Sequence, residues 1–432
     1  MPSAARPWAT SWATCCIEAS GQRPRRVPWI RHDLTRPRNG GTVPIAVRVT
    51  PTKRCTEAAD WLFLLRHAEA NWACASINCV NQRKRAGRTV QVHPLIKSGV
   101  YVTAHVTGLS RALALRYRGR GIIFALHSVT AGDTFYPDDL MLRCPASKLE
   151  WMLRRLQQLQ LDFVTLDEVV ARLETPTARP FVALTLDDGY ADNLTNALPV
   201  MEKFAAPFTV FVTTGMITRE IDAWWFGVTE LVRRRDHIDL PNLGRFECAD
   251  QAAKRRAYTA IAAAIHTNFD VLAEVREAIA QAGIDIPALI DREALTEQQL
   301  RTLAQHPLVT IGGHTTTHLN LKRAAAATVR TEMADNRKFL QDITGQPINH
   351  NAYPFGHSGA CGEREAEISR SLGFRTAVTT RAGTIFPEHR NHPHALPRVC
   401  LTRDENTATL QCKLNGLSRV VNSRFGDPVA LM

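Results

Sequence analysis

From Gly121 onward, short apolar runs and amphipathic stretches take turns along the chain, and this alternation constrains the fold of the 432-residue sequence more than any other feature. Gly121–Leu126 is six apolar or small residues ending at His127, a length that suits a buried strand better than a helix. Leu149, Met152, Leu153, Leu156 and Leu159 follow helical spacing behind a possible cap at Ser147, and Thr165 with Glu168 marks a second capped start. Strands are then expected at 181–186, 208–213, 308–311, 348–353 and 376–379, with helices at 191–204, 324–343 and 361–372. Strand and helix in turn predict a parallel sheet covered by helices, and the number of units suits a barrel of the β/α type. A polar, helical stretch at about 218–306, opened by Trp224-Trp225-Phe226, interrupts the alternation and reads as an insertion. No run approaches the eighteen or so apolar residues that a membrane span needs.

The net charge of +12 suggests a polyanion-binding protein only until its distribution is read. Residues 1–120 carry 20 basic against 5 acidic side chains, whereas residues 121–432 carry 33 against 36. The excess therefore belongs to an N-terminal extension, 1–120, rich in Arg, Cys and Trp and expected to be poorly ordered. Its cluster Gln82-Arg83-Lys84-Arg85-Ala86-Gly87-Arg88 reads as a solvated linker, because no aromatic-basic interleaving or helix-turn-helix pattern accompanies it. Nucleic acid is not an expected partner. The stretch from Trp8 to Ile17 has cysteines inside it and an arginine cluster after it, unlike a secretory signal, so the cytoplasm is the expected compartment. Cys144, Cys248, Cys361, Cys400 and Cys412 show no paired or finger spacing and read as reduced thiols. The domain of interest is expected at 121–402, followed by a weakly patterned tail at 403–432.

Three polar clusters each follow a predicted strand: Asp187-Asp188-Gly189, His314-Thr315-Thr316-Thr317-His318 and Pro354-Phe355-Gly356. In a parallel sheet all three emerge at the C-terminal edge, where β/α barrels build active sites. Neighbouring carboxylates can divide labour there, one holding a metal while the other takes a proton. Two imidazoles four residues apart reach one side of a helical turn, as a shared divalent ion requires. Gly312-Gly313 before them lets backbone approach closely.

These motifs, with Thr185-Leu186 before the first and Tyr353 before the third, resemble the first three motifs of the polysaccharide deacetylase family, whose NodB-like members include chitooligosaccharide deacetylases. The resemblance spans roughly 121–401. It implies a deformed (β/α) barrel that hydrolyses N-acetyl groups from amino-sugar saccharides with one divalent metal, most often Zn2+, for which Co2+ can substitute. It also implies roles: Asp188, His314 and His318 as metal ligands, Asp187 as general base, and a backbone N–H at Phe355 as an oxyanion donor.

Two departures follow. Where many members have an arginine that orients the base, this chain has Ala352, and Arg398 in Leu396-Pro397-Arg398 is the candidate replacement, since a guanidinium can fork onto a carboxylate. The family's general-acid histidine falls two residues after a leucine, where this chain has Arg398. His394 is the first choice for that acid among His389, His392 and His394, with His127 outside the region as a second. Loss of the acid leaves open a different class, a non-catalytic saccharide-binding protein on the same fold. Trp224-Trp225 read either as a stacking wall for a sugar ring or as packing inside the insertion.

Overall fold

The computed structural model describes residues 94–132, 135–138, 142–174, 179–423 and 425–432. The basic cluster 82–88, the five early cysteines and the stretch from Trp8 to Ile17 lie outside the described residues. Six strands follow the expected alternation, β1 (Gly121–Leu126), β2 (Phe181–Leu186), β3 (Phe208–Val212), β4 (Val309–Gly313), β5 (His350–Ala352) and β6 (Thr376–Val378), and a further one, β7 (Val399–Cys400), is an addition that the sequence reading did not include. They hydrogen-bond in the order β6-β5-β4-β3-β2-β1-β7, every pair parallel. The ring closes through the segment just before β7. Leu396 bridges Val378 in parallel, with its N–H on Ala377 and its carbonyl accepting from the Thr379 N–H, while Val399 and Cys400 pair with β1. Short, uneven strands closed by an irregular segment make this a deformed (β/α) barrel.

Side-chain alternation fills it. Ile123, Ala183, Phe211, Ala352, Val378 and Leu396 form one buried cluster, drawn from both ends of the strand order and therefore inside the ring. Their neighbours Phe124, Leu184, Val210 and Ile311 belong to another, which includes Leu149, Met152 and Leu156 of the first covering helix. With β1, β2 and β3 buried along their whole length, the strands read in sequence as continuous apolar runs, as parallel strands do.

Local details differ from expectation where backbone chemistry overrides periodicity. The first covering helix, Ala146–Gln158, starts directly after Pro145, so Ser147 lies inside it and makes no cap. The expected box at Thr165 and Glu168 is present, with both reciprocal hydrogen bonds formed. The insertion has its own buried core and is mostly helical, with α1 (Trp224–Arg234) and α2 (Gln251–Thr267) at its centre. It also contains an antiparallel hairpin, His237–Leu240 with Gly244–Glu247, that helical spacing did not suggest. After β4 comes α3 (Ala326–Thr344), ended by Gly345 at φ 69°.

The outer boundaries also differ from those read in the sequence. Helices Pro94–Val106 and Leu109–Tyr117, inside the expected N-terminal extension, pack against helices Thr407–Leu414 and Leu417–Ser423 of the expected tail. Tyr117 donates to the Gly426 carbonyl, and the Tyr101 and Ser418 hydroxyls are hydrogen-bonded. No helix among the described residues is long and apolar enough to cross a membrane.

Candidate active site

The turn after β2 separates its two aspartates. Asp187 directly follows the strand and donates its N–H to the Leu126 carbonyl, whereas Asp188 takes a left-handed conformation, φ 76°, and the two carboxylates face different partners. Gly189 continues at φ 87° against the Val212 side chain, a backbone state that glycine adopts without penalty.

Asp187 is gripped by Arg398. The guanidinium forks onto both carboxylate oxygens at 2.7 Å each, reaches Thr185 Oγ1 at 2.9 Å and the Thr379 carbonyl at 3.1 Å, and is buried with its partner. A buried carboxylate alone would tend to take up a proton. Burial does oppose its charge, but Arg398 and the neighbouring His314 outweigh that and hold Asp187 below the usual carboxylate range. Asp187 is thus ionised and fixed in orientation. The position of Ala352 is taken by none of this chemistry: its methyl is in the barrel interior, and its carbonyl serves His314.

His314 donates Nδ1–H to the Ala352 carbonyl at 2.7 Å; because a carbonyl only accepts, Nε2 is the free lone pair. That Nε2 lies 3.5 Å from Asp188 Oδ1, and His318 Nε2 lies 3.4 Å from the same oxygen. The expected helical turn between the two histidines does not form. Residues 314–319 are an irregular loop with Thr315 at φ 63° and His318 at φ 54°, and it is this doubled left-handed backbone that brings the imidazoles together. Two residues of α3 hold the loop. Glu332 accepts from the N–H groups of Thr316 and Thr317 and from the Thr317 hydroxyl, at 2.7–2.9 Å, while Asn336 accepts from the His314 N–H and donates to the carbonyls of Val212 and Thr315. Sequence reading missed both. Their signal was two polar side chains four apart on the face that also carries Val329, Met333 and Leu340.

The residues fit a divalent cation. Ligand atoms of Asp188, His314 and His318 all lie within 4.8 Å of one another, and Asp188 Oδ1 is buried without a hydrogen-bond partner. Two ligands about 2.1 Å from a tetrahedral ion lie about 3.4 Å apart, close to the spacing present. Burial and the repulsion of neighbouring imidazoles push His318 down to about 3 despite Asp188; burial opposes charge on His314 too, but Asp188 and Asp187 outweigh it and raise that ring. The pair therefore takes up one proton readily and resists a second.

Phe355, at φ 61°, places its ring 4.7 Å from that of His318 and accepts a hydrogen bond from Thr380 Oγ1 at its carbonyl. His318 opens onto a groove of about 530 Å3, walled by Trp224, Trp225, Phe269 and Leu272 of the insertion and by Thr317 and Asn320. Both tryptophans are also packed within the insertion core, as the packing reading expects.

The histidines divide sharply. His394 is not brought to this cluster. It donates Nε2–H to the carbonyl of Phe374, which precedes β6, so its ring lies toward the opposite end of that strand. His389 is tied to the Ala430 carbonyl. His127 follows β1 directly, at the same sheet edge at which Asp187 follows β2.

Comparison with known proteins agrees with this rim. The family model described as "Polysaccharide deacetylase" matches residues 174–377. A Bacillus subtilis (strain 168) protein described as a polysaccharide deacetylase, YxkH, is 21% identical over 263 residues, 60% of this chain and 64% of the relative. The match thus spans less than two thirds of that relative's length. Among solved structures, the Streptococcus pyogenes deacetylase PplD in complex with acetate is 17% identical, covering 68% of this chain and 97% of its own at a TM-score of 0.44. IcaB from Ammonifex degensii is 16% identical, covering 69% and 97% at a TM-score of 0.45. The motifs after β2, β4 and β5 all lie inside the stretch, residues 174–377, that matches the polysaccharide deacetylase family model.

Proposed function

We propose that this protein is a metal-dependent hydrolase that removes N-acetyl groups from an amino-sugar oligo- or polysaccharide, a chitooligosaccharide being the first substrate to test. The observation that carries the reading is the pairing of an ionised, Arg398-held Asp187 with the Asp188, His314 and His318 cluster on one rim. Asp188, His314 and His318 would hold a divalent ion, Zn2+ in this reading with Co2+ as a substitute, which supplies Lewis-acid activation of water and of the acetamide carbonyl.

Asp187 accepts the proton of the attacking water at the carboxylate that Arg398 holds in place. The Phe355 N–H donates to the oxygen that gains charge as the carbonyl becomes tetrahedral. As the C–N bond breaks, the leaving nitrogen takes a proton, and the products are acetate and a free amino sugar. We assign that proton to His127 in place of His394, because His127 follows β1 at the edge where Asp187 and Asp188 follow β2, whereas His394 is tied to the Phe374 carbonyl.

Purified protein incubated with zinc and N-acetylglucosamine oligomers of increasing length should release acetate. A chelator should abolish that release, and added zinc or cobalt should restore it; acetate release that persists in metal-free protein defeats the proposal. Saccharide binding without any acetate release would instead support the non-catalytic reading.

A further inference from the structure

The two imidazoles of the cluster are held by different means. His314 is wired by its Nδ1–H to the Ala352 carbonyl. The Nδ1 of His318 is buried and has no hydrogen-bond partner among the described residues, although metal-ligating histidines almost always anchor their second nitrogen. Its backbone gives limited help, sitting at φ 54° with the N–H on Thr315 Oγ1 at 3.2 Å. What fixes the ring is packing. Trp225 lies 5.2 Å away at 57°, Phe355 4.7 Å away at 68°, and His314 5.0 Å away at 68°. Trp225 is 5% exposed and is itself seated against Trp224 and Phe226 in the insertion core.

We infer that Trp225 is a positioning residue for the metal site: the insertion, through this one indole face, does for His318 what a hydrogen bond does for His314. The inference rests on the reading of Asp188, His314 and His318 as metal ligands. An imidazole with no anchored nitrogen keeps rotational freedom that a bound ion must remove, so loss of the indole face should weaken metal binding. The insertion then sets the affinity of a site whose ligands it does not supply. Sequence alone offered Trp225 only as sugar wall or packing.

The test is zinc affinity of metal-free protein, measured by competition with a chromophoric chelator. Trp225→Leu should weaken zinc binding about tenfold, at the low end of the range for residues that orient ligands, and Trp225→Phe should stay within about twofold of the original. Ile261→Ala is the control, a fully buried residue of the same core with no ring contact to His318, and should lower Tm without moving zinc affinity. Should Trp225→Leu not fold, Trp225→Met serves in its place. The inference is overturned if the leucine or methionine variant binds zinc as the original does, or if Ile261→Ala loses as much. It also falls if the unmutated protein binds no zinc. Zinc binding without acetate release would defeat the deacetylase reading while leaving this comparison of variants intact.

Discussion

The barrel rim and the insertion both bury their side chains beside the same groove, but they do so by opposite chemistry. On the rim, Asp187, Arg398, His314, Glu332 and Asn336 are joined by directional hydrogen bonds, most at 2.6–3.1 Å. On the insertion side, Trp224, Trp225, His266 and Phe269 meet one another and the Phe355 ring edge-to-face, 4.9–6.5 Å apart. Hydrogen-bonded charges fix orientation and protonation state; ring packing fixes shape and excludes water. The difference teaches that changes on the rim should act on chemistry, and changes on the insertion on affinity.

The largest effect tests the rim directly. Asp187→Asn keeps the shape and removes the base, so acetate release should fall by about 10^3-fold while saccharide binding survives. Retained turnover in that variant would remove Asp187 from the mechanism and with it the contrast between the two sides.

Arg398→Met should come next, with a loss of about 10^2-fold in kcat, since the base remains but is neither oriented nor kept ionised. The pH dependence carries the sign. Asp187 is held below its ordinary value in the folded protein, so it stabilises the fold above the unfolded carboxylate pKa of about 3.9, an effect lost as pH falls through the folded value. Without Arg398, burial is left as the largest influence and the carboxyl rises. The acid limb of the rate profile should then move to higher pH, and stability at neutral pH should drop by about 3–5 kcal/mol. An unmoved acid limb would mean that some other group titrates there.

Much of the rim was legible because its chemistry sits in short motifs at strand ends. Gly121–Leu126 and Phe181–Leu186 announced strands, so the positions of His127 and Asp187 on one edge followed from parallel pairing. Arg398 was legible as a candidate once Ala352 stood in the usual place, because a guanidinium after the last expected strand can fork onto a carboxylate. Other features were not, for physical reasons. The loop 314–319 is decided by left-handed residues and by Glu332, fourteen positions beyond His318, a long-range satisfaction that spacing does not encode. His394 and His127 are equivalent as letters; only the closing segment's path, which carries His394 toward the start of β6, separates them. The hairpin in the insertion stayed hidden because its outward residues are polar and its strands are four residues each.

Glu332→Gln sharpens the comparison by loosening the wiring without touching a ligand. Its charge-assisted bonds to two backbone N–H groups become weaker and one loses its geometry, so about 1–3 kcal/mol of stability should go, seen as a lower Tm. Activity should fall with it, because the same bonds shape the turn between His314 and His318.

The smallest effect belongs to the groove wall. Trp224 is buried, meets His266 edge-on at 5.7 Å and lines the groove with Phe269 and Leu272, yet it makes no ring contact with His318 or Phe355. Trp224→Leu removes apolar surface that would cover a sugar's C–H face, a change worth about 1 kcal/mol in such a pocket, or about fivefold in affinity. If the insertion acts on affinity alone, that loss appears as a higher KM for N-acetylglucosamine oligomers, with kcat changing by less. It should also be larger for longer oligomers than for the monomer, since only a longer chain would reach along the wall with its acetamide at Asp188, His314 and His318. A matching fall in kcat for every substrate length would instead show that the ring-packed side transmits to the chemistry as strongly as the hydrogen-bonded side does.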